Sequence, residues 1–292
     1  MISMKDKCYS RLIFFFGLIF CVGHPLTSYA EPPEYEPVHW AYSTFFGTGW
    51  YQVGDNRSIF VLRLPPRQSL RESGFDDAGK RKIGIEIHYP LTLGLHSIDD
   101  IPDFIQIDNF GTVSFTPGVE LEIPINEKWY LRSFAHVGWG IDLDSSDSVW
   151  IYYTGLKSRY TFEGEKFDWA LLNGLYYAGY TPDDGRSDRL AAAEIGVEFR
   201  QPLNSFTLMD REVDLHYSFM YSFLGKELHF GLPDGGFDVV EDQFEIGVAM
   251  SFRSKPYKLW FLNVRRLGIG YKFTSEDQFK AITLSMRSWF TK

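Results

Sequence analysis

The 292-residue sequence has only two cysteines, Cys8 and Cys21. Both fall in the first thirty residues, which read as a segment removed on export. The remaining chain therefore has no disulfide framework, cysteine nucleophile or thiolate-bound metal. Long apolar runs are just as scarce. The one extended stretch, Leu12 to Gly23, falls short of the roughly 20 residues that a spanning helix needs. It follows the basic Lys5, Lys7 and Arg11 and precedes Ser28-Tyr29-Ala30. That order predicts a signal peptide over 1–30, cleaved after Ala30, rather than a retained anchor helix. Cys21 follows Phe20, not the small residue of a lipoprotein site. Positive charge is also in deficit: the whole chain carries −9, and the first thirty residues hold +2, leaving −11 for the rest. A general nucleic-acid binder would show the opposite sign.

Aromatic residues, by contrast, are abundant: 17 Tyr, 26 Phe and 8 Trp make up 17% of the chain. A transmembrane β-barrel uses such residues in girdles at its two interfaces. The accompanying signature is strict alternation, because successive strand side chains point to opposite faces. From Val213 to Phe223 the odd positions are Val, Leu, Tyr, Phe, Tyr and Phe, and the even positions are Asp, His, Ser, Met and Ser. The same period recurs at 83–93, 113–122, 190–200, 244–253 and 267–273. Weaker alternation covers 129–142, 148–162, 167–180 and 279–290, with first strands near 41–52 and 57–64. A secreted β-sandwich also alternates, but its polar face is charge-rich rather than laced with Gly and Ala as here. The expectation is an all-β, transmembrane antiparallel barrel of about twelve strands over 31–292, following the cleaved signal. With the N-terminus in the periplasm, the short turns 123–128 and 163–166 fall on the periplasmic side. The long segments 94–109 and 224–241 fall outside, and the polar 65–80 stretch is an anomalously long periplasmic connection.

A signal peptide, about twelve strands and a final strand carrying Phe290 near its end resemble the autotransporter β-barrel. More narrowly, the chain is similar to the solitary autotransporter-like outer-membrane barrels. The resemblance spans essentially everything after residue 30 and rests on architecture and on Phe110 to Asp142, with its paired strands and short turn. It implies a Gram-negative outer membrane, contact with its lipids and lipopolysaccharide, and insertion by the barrel-assembly machinery. With only Glu31 to Trp40 before the first strand, it implies a barrel without a passenger.

Candidate chemistry is sparse. His216-Tyr217-Ser218 has the His-x-Ser spacing found in barrel lipid hydrolases, and residues two apart share a strand face. That face is the polar, inward one, whereas a lipid hydrolase presents the pair to the bilayer. Phe230 occupies the place of an orienting polar group, and Glu227 and His229 are off register. Asp142, Asp144 and Asp147, and likewise Asp183, Asp184 and Asp188, read as acidic outer turns. A Ca²⁺ or a lipopolysaccharide-bridging ion is their alternative use. His88 and His136 read as isolated lumen histidines. The inward face carries Arg132, Lys157, Arg159, Arg200, Arg253, Lys272 and Arg287 against Asp168, Glu194, Glu198, Asp214 and Glu245. These either pair across the lumen, the favoured reading, or line a wet channel. No catalytic residue, cofactor or metal is expected. The function expected is structural, surface-binding or small-solute passage, with a lipid-modifying hydrolase or a general diffusion pore as alternatives.

Overall fold

Alternating sequence of this kind makes strands, and the computed structural model consists almost entirely of them. It describes residues 39, 41–42, 45–53, 57–97, 110–143, 145–231, 237–253, 257–259, 262–276 and 278–285. The segment 1–30 expected to be an export signal, Asp144, Arg287, Phe290 and most of segment 94–109 lie outside the described residues. In chain order the strands are β1 (Thr48–Val53), β2 (Arg57–Leu64), β3 (Arg67–Arg71), β4 (Gly74–Phe75), β5 (Arg81–Lys82), β6 (Gly84–His88), β7 (Leu91–Ser97), β8 (Phe110–Phe115), β9 (Gly118–Pro124) and β10 (Trp129–Asp142). They continue with β11 (Ser148–Phe162), β12 (Asp168–Pro182), β13 (Asp188–Leu208), β14 (Arg211–Gly231), β15 (Phe237–Phe252), β16 (Tyr257–Leu259), β17 (Leu262–Val264), β18 (Arg266–Phe273) and β19 (Phe279–Ser285).

Pairing runs antiparallel from β10 through β11, β12, β13, β14, β15, β18, β19, β1, β2, β7 and β8 and back to β10. The result is a closed barrel of twelve strands, as the alternation predicts. Closure gives each of the twelve ring strands a partner on both sides, which is how a sheet satisfies its backbone without help from solvent; β3, an extension of the wall, pairs with β6 alone. Two ends are distinguished by their connections. The near end carries the turns at 125–128, 163–167 and Met209–Asp210, and the far end carries those at 143–147, 183–187 and 274–278. Asn126 shapes one near-end turn, its Oδ1 accepting the amides of Lys128 (2.9 Å) and Trp129 (2.8 Å).

Burial is inverted relative to a water-soluble protein. Val137, Leu175, Ile195, Phe219, Val248 and Ile269 point outward, and Ile269 is 61% exposed. Glu120, Arg132, His136, Glu198, Asp214 and His216 are buried inside. Outward aromatics gather toward both ends. Trp139 and Trp150 pair directly near the far end. Phe167, Phe199 and Tyr217 stand near the other, where Phe162 stacks on Trp169 at 3.9 Å.

Three consecutive wall positions are interrupted at one level. β2 and β3 are separated by Pro65-Pro66, β6 and β7 by Tyr89-Pro90, and β8 and β9 by Thr116-Pro117. The register is continuous across each break: His88 opposes Gly118 and Leu91 opposes Phe115, bracketing the gap. One hydrogen bond survives at each interface: Tyr89 to the Pro66 carbonyl (2.9 Å), Thr116 to Pro90 (3.2 Å) and Val137 to Pro117 (3.1 Å). Its reciprocal is missing because proline has no N–H to give. Gly138 ends the seam. A Cβ there would stand 1.9 Å from the Phe115 carbonyl oxygen, so only glycine permits the approach. We call this line the proline seam.

Several expectations about connections change. The 65–80 segment is not a plain turn: β3 extends the wall along β6, and β4 and β5 form a small hairpin. In its described residues, 224–231 and 237–241, segment 224–241 is strand and not loop. β14 and β15 run through it, with Leu228 opposite Val240; its Leu224, Leu228 and Phe230 are buried over the far end, where burial favours continuing the strand. The first strand starts at Thr48, not 41, because Ala41 and Tyr42 are drawn into the lumen.

Candidate functional site in the lumen

Two layers fill the barrel. The far-end layer is apolar and contains the residues that precede β1. Ala41 and Tyr42 are buried in one cluster with Tyr51, Val61, Ile151, Tyr180 and Leu228. These side chains come from opposite walls of the ring, so the lumen is closed at this height. Tyr42 packs edge-on against Tyr180 at 5.4 Å, and its hydroxyl donates to Asp188 at 2.9 Å. Lys226 also contacts that carboxylate. His39 stacks on Tyr180 at 4.2 Å. Burial holds its imidazole below its ordinary value of 6.5, against the opposing pull of Asp147, Asp142 and Asp188. Phe45 and Phe46 complete the plug against Tyr153 (5.3 Å) and Tyr51 (5.2 Å).

Below the plug lies a chamber of about 810 Å³ whose walls include Phe45, Arg63, Glu86, Glu120, Arg132 and Lys272. Inward charges pair mainly along the wall, between neighbouring strands, rather than across the lumen. Arg132 contacts Glu122, Arg200 contacts Asp168, Arg253 contacts Asp214 (2.5 Å), and Lys272 contacts Glu245 (3.3 Å). Register explains this: Arg132 directly opposes Glu122, and Asp168 directly opposes Arg200. Lys157 sits over the Phe134 and Tyr176 rings, and Arg159 over Tyr130 at 4.6 Å. Tyr176 donates to Glu194. Some contacts do span more than one strand: Arg63 reaches Tyr153, Arg266 reaches Glu198 at 2.7 Å, and Thr283 donates to Glu245 at 3.2 Å.

The His-x-Ser pair is inward, as the alternation predicts. His216 is fully buried, but its neighbours were not foreseeable from spacing. Its Nδ1 faces Glu198 Oε1 at 2.8 Å and its Nε2 faces Ser251 Oγ at 2.7 Å. Ser218 is not the serine involved. This Ser-His-Glu chain has the order of a hydrolytic relay. All three residues are nonetheless sealed, with Glu198 at 0% and Ser251 at 2% exposure, and none lines the chamber. It therefore has no room for a substrate, and its evident work is to neutralise Arg266 at the near end.

His88 and His136 are not isolated. Their ring centres are 5.5 Å apart, and His136 stacks on Tyr153 at 4.3 Å. Glu86 and His88 share a face of β6, and Glu120 directly opposes Glu86. Glu227 and His229, expected in a loop, lie in β14 and contact each other at 3.2 Å. The far-end acids act locally: Asp142 accepts the Ser145 amide (3.1 Å), Asp183 contacts Ser148, and Asp188 latches the plug.

No protein-family model matches this chain, and no curated protein matches it.

Proposed function

We propose that this protein is an outer-membrane barrel of a Gram-negative bacterium whose plugged lumen holds a non-catalytic chamber for small charged solutes. The observation that carries the reading is the apolar exterior, girdled by aromatics at both ends, around a charged interior. Such an exterior is stable against lipid chains and unfavourable against water. Outer-membrane lipids and lipopolysaccharide are the surroundings it fits, and insertion by the barrel-assembly machinery follows from that location. The twelve strands, with Phe110–Asp142 forming paired strands around a tight turn, support the autotransporter-like resemblance.

The plug argues for a gated chamber over a general diffusion pore, because buried side chains from opposite walls, among them Tyr180 and Leu228, pack with Tyr42 in one apolar cluster across the lumen. Membrane fractionation and planar-bilayer recording test the reading. The expected result is heat-modifiable protein in the outer-membrane fraction. At neutral pH it should show no steady conductance until Tyr42, Phe45 and Phe46 are replaced together by glycine. Recovery in the soluble fraction would overturn the location. Large steady conductance from the intact protein would overturn the plugged chamber.

A further inference from the structure

We propose that the chamber wall beside the proline seam carries a binding site for a divalent transition-metal ion of the zinc type, formed by Glu86, His88 and Glu120. Their ligand atoms all lie within 4.8 Å of one another, close to the span that one ion with bonds of about 2.0–2.2 Å bridges. All three line the chamber, so the site is reachable. Among the described residues no other group of three such side chains converges this way.

Register makes the arrangement costly without a cation. Glu86 and Glu120 occupy directly opposed positions on β6 and β9, where like charges destabilise a sheet. Arg67 is 3.8 Å from Glu86, and Arg132 is 3.8 Å from Glu120 while making its short contact with Glu122. These guanidiniums occupy the place of outer partners that orient metal-ligating carboxylates.

The seam supplies the second, independent observation. Pro90 cannot donate to the Thr116 carbonyl that faces it. His136 does so instead, its Nδ1 lying 2.9 Å from that oxygen. A carbonyl only accepts, so Nδ1 carries the proton and Nε2 is left basic. This backbone-carbonyl anchor is how proteins commonly fix a ligating imidazole. His136 is not one of the three convergent residues, but its ring centre lies 5.5 Å from that of His88, so it is the neighbouring imidazole that a bound ion would draw in as a fourth donor. Imidazole together with carboxylate favours zinc-like ions over Ca²⁺ or Mg²⁺, which take oxygen ligands. Bound there, the ion would staple β6 to β9 next to the level at which the prolines withhold hydrogen bonds.

The test uses the full untagged chain folded in detergent, stripped with chelator and titrated with Zn²⁺ against a competing indicator dye. One equivalent should bind to the wild type. Glu120→Gln and His88→Gln should each weaken binding by at least about tenfold, and His136→Gln by about 10–100-fold. His216→Gln, remote from the site, should bind as the wild type does. Heat-modifiable gel mobility identifies folded variants. Should the site variants not fold, Co²⁺ added to the wild type decides the matter through the intense visible absorption of a tetrahedral site. Failure of the wild type to bind one equivalent, undiminished binding by folded Glu120→Gln and His88→Gln, or a weak octahedral Co²⁺ spectrum would each overturn the proposal. None of these outcomes bears on the plug, so the gating reading stands or falls separately.

Discussion

Replacing Ile269 with arginine separates a lipid-facing wall from a water-facing one. Ile269 lies in β18, directly opposite Val248 on one side and Leu284 on the other. All three are outward, and it is the most exposed of them at 61%. It stands three residues beyond Arg266. At about 3.3 Å per residue and a tilt near 40°, that is about 8 Å of height, well inside an apolar band about 25 Å tall. On a water-exposed surface such a substitution changes stability by less than about 0.5 kcal/mol. In the hydrocarbon layer it costs about 2–4 kcal/mol, roughly 30- to 900-fold in the folding constant. Urea unfolding in phospholipid vesicles, followed by tryptophan emission, measures the difference. A shift below 0.5 kcal/mol with an unchanged m-value would refute the assignment of this face to lipid.

Other expectations follow from the interior. Glu198→Gln should destabilise the folded barrel by about 3–5 kcal/mol, because it leaves Arg266 charged and buried without its carboxylate. Ser251→Ala should cost only about 1 kcal/mol and, if the relay is structural, change no esterase background. Met209 and Asp210 adopt left-handed backbone (φ 54° and 58°) in a two-residue hairpin. Met209→Gly should therefore stabilise by about 0.5–1 kcal/mol in the same unfolding assay. The His39 effect has a definite sign. Burial lowers its pKa in the plug, so the neutral form is the one that packs, and this stabilisation is complete above about pH 6.5. It is lost as pH falls and the released segment takes up a proton. Conductance should rise below about pH 6, and His39→Gln should flatten that rise. Backbone amides of Tyr89, Thr116 and Val137 should exchange with deuterium faster than those in the middle of β13 and β14, since each seam pair keeps one bond of two.

The face of nearly every strand residue was legible in the sequence because a strand has a period of two and the outward face of this wall is the apolar one. His216, Glu194, Glu198 and Arg200 therefore fall inside as expected. Pairing partners were harder to read. Ser251 lies 35 residues from His216 and Glu120 lies 34 residues from Glu86, and no local pattern encodes which strands become neighbours or in what register. The proline positions were visible, yet their alignment into one seam depends on that same register. In segment 224–241, polar and glycine residues hide a strand whose apolar members Leu224, Leu228 and Phe230 cap the lumen.

The export-signal pattern, the confinement of both cysteines to the first thirty residues and the inward-outward alternation belong to the sequence by itself, since each depends on residue type and short-range spacing. Whether the lumen is open was decided only by the tertiary structure. Closing the sheet brings Tyr42, Tyr180 and Leu228 together from distant parts of the chain. The same closure sets Glu86, His88 and Glu120 on one patch of wall. Long-range contacts of this kind arise from ring closure and register, which no window of the sequence contains.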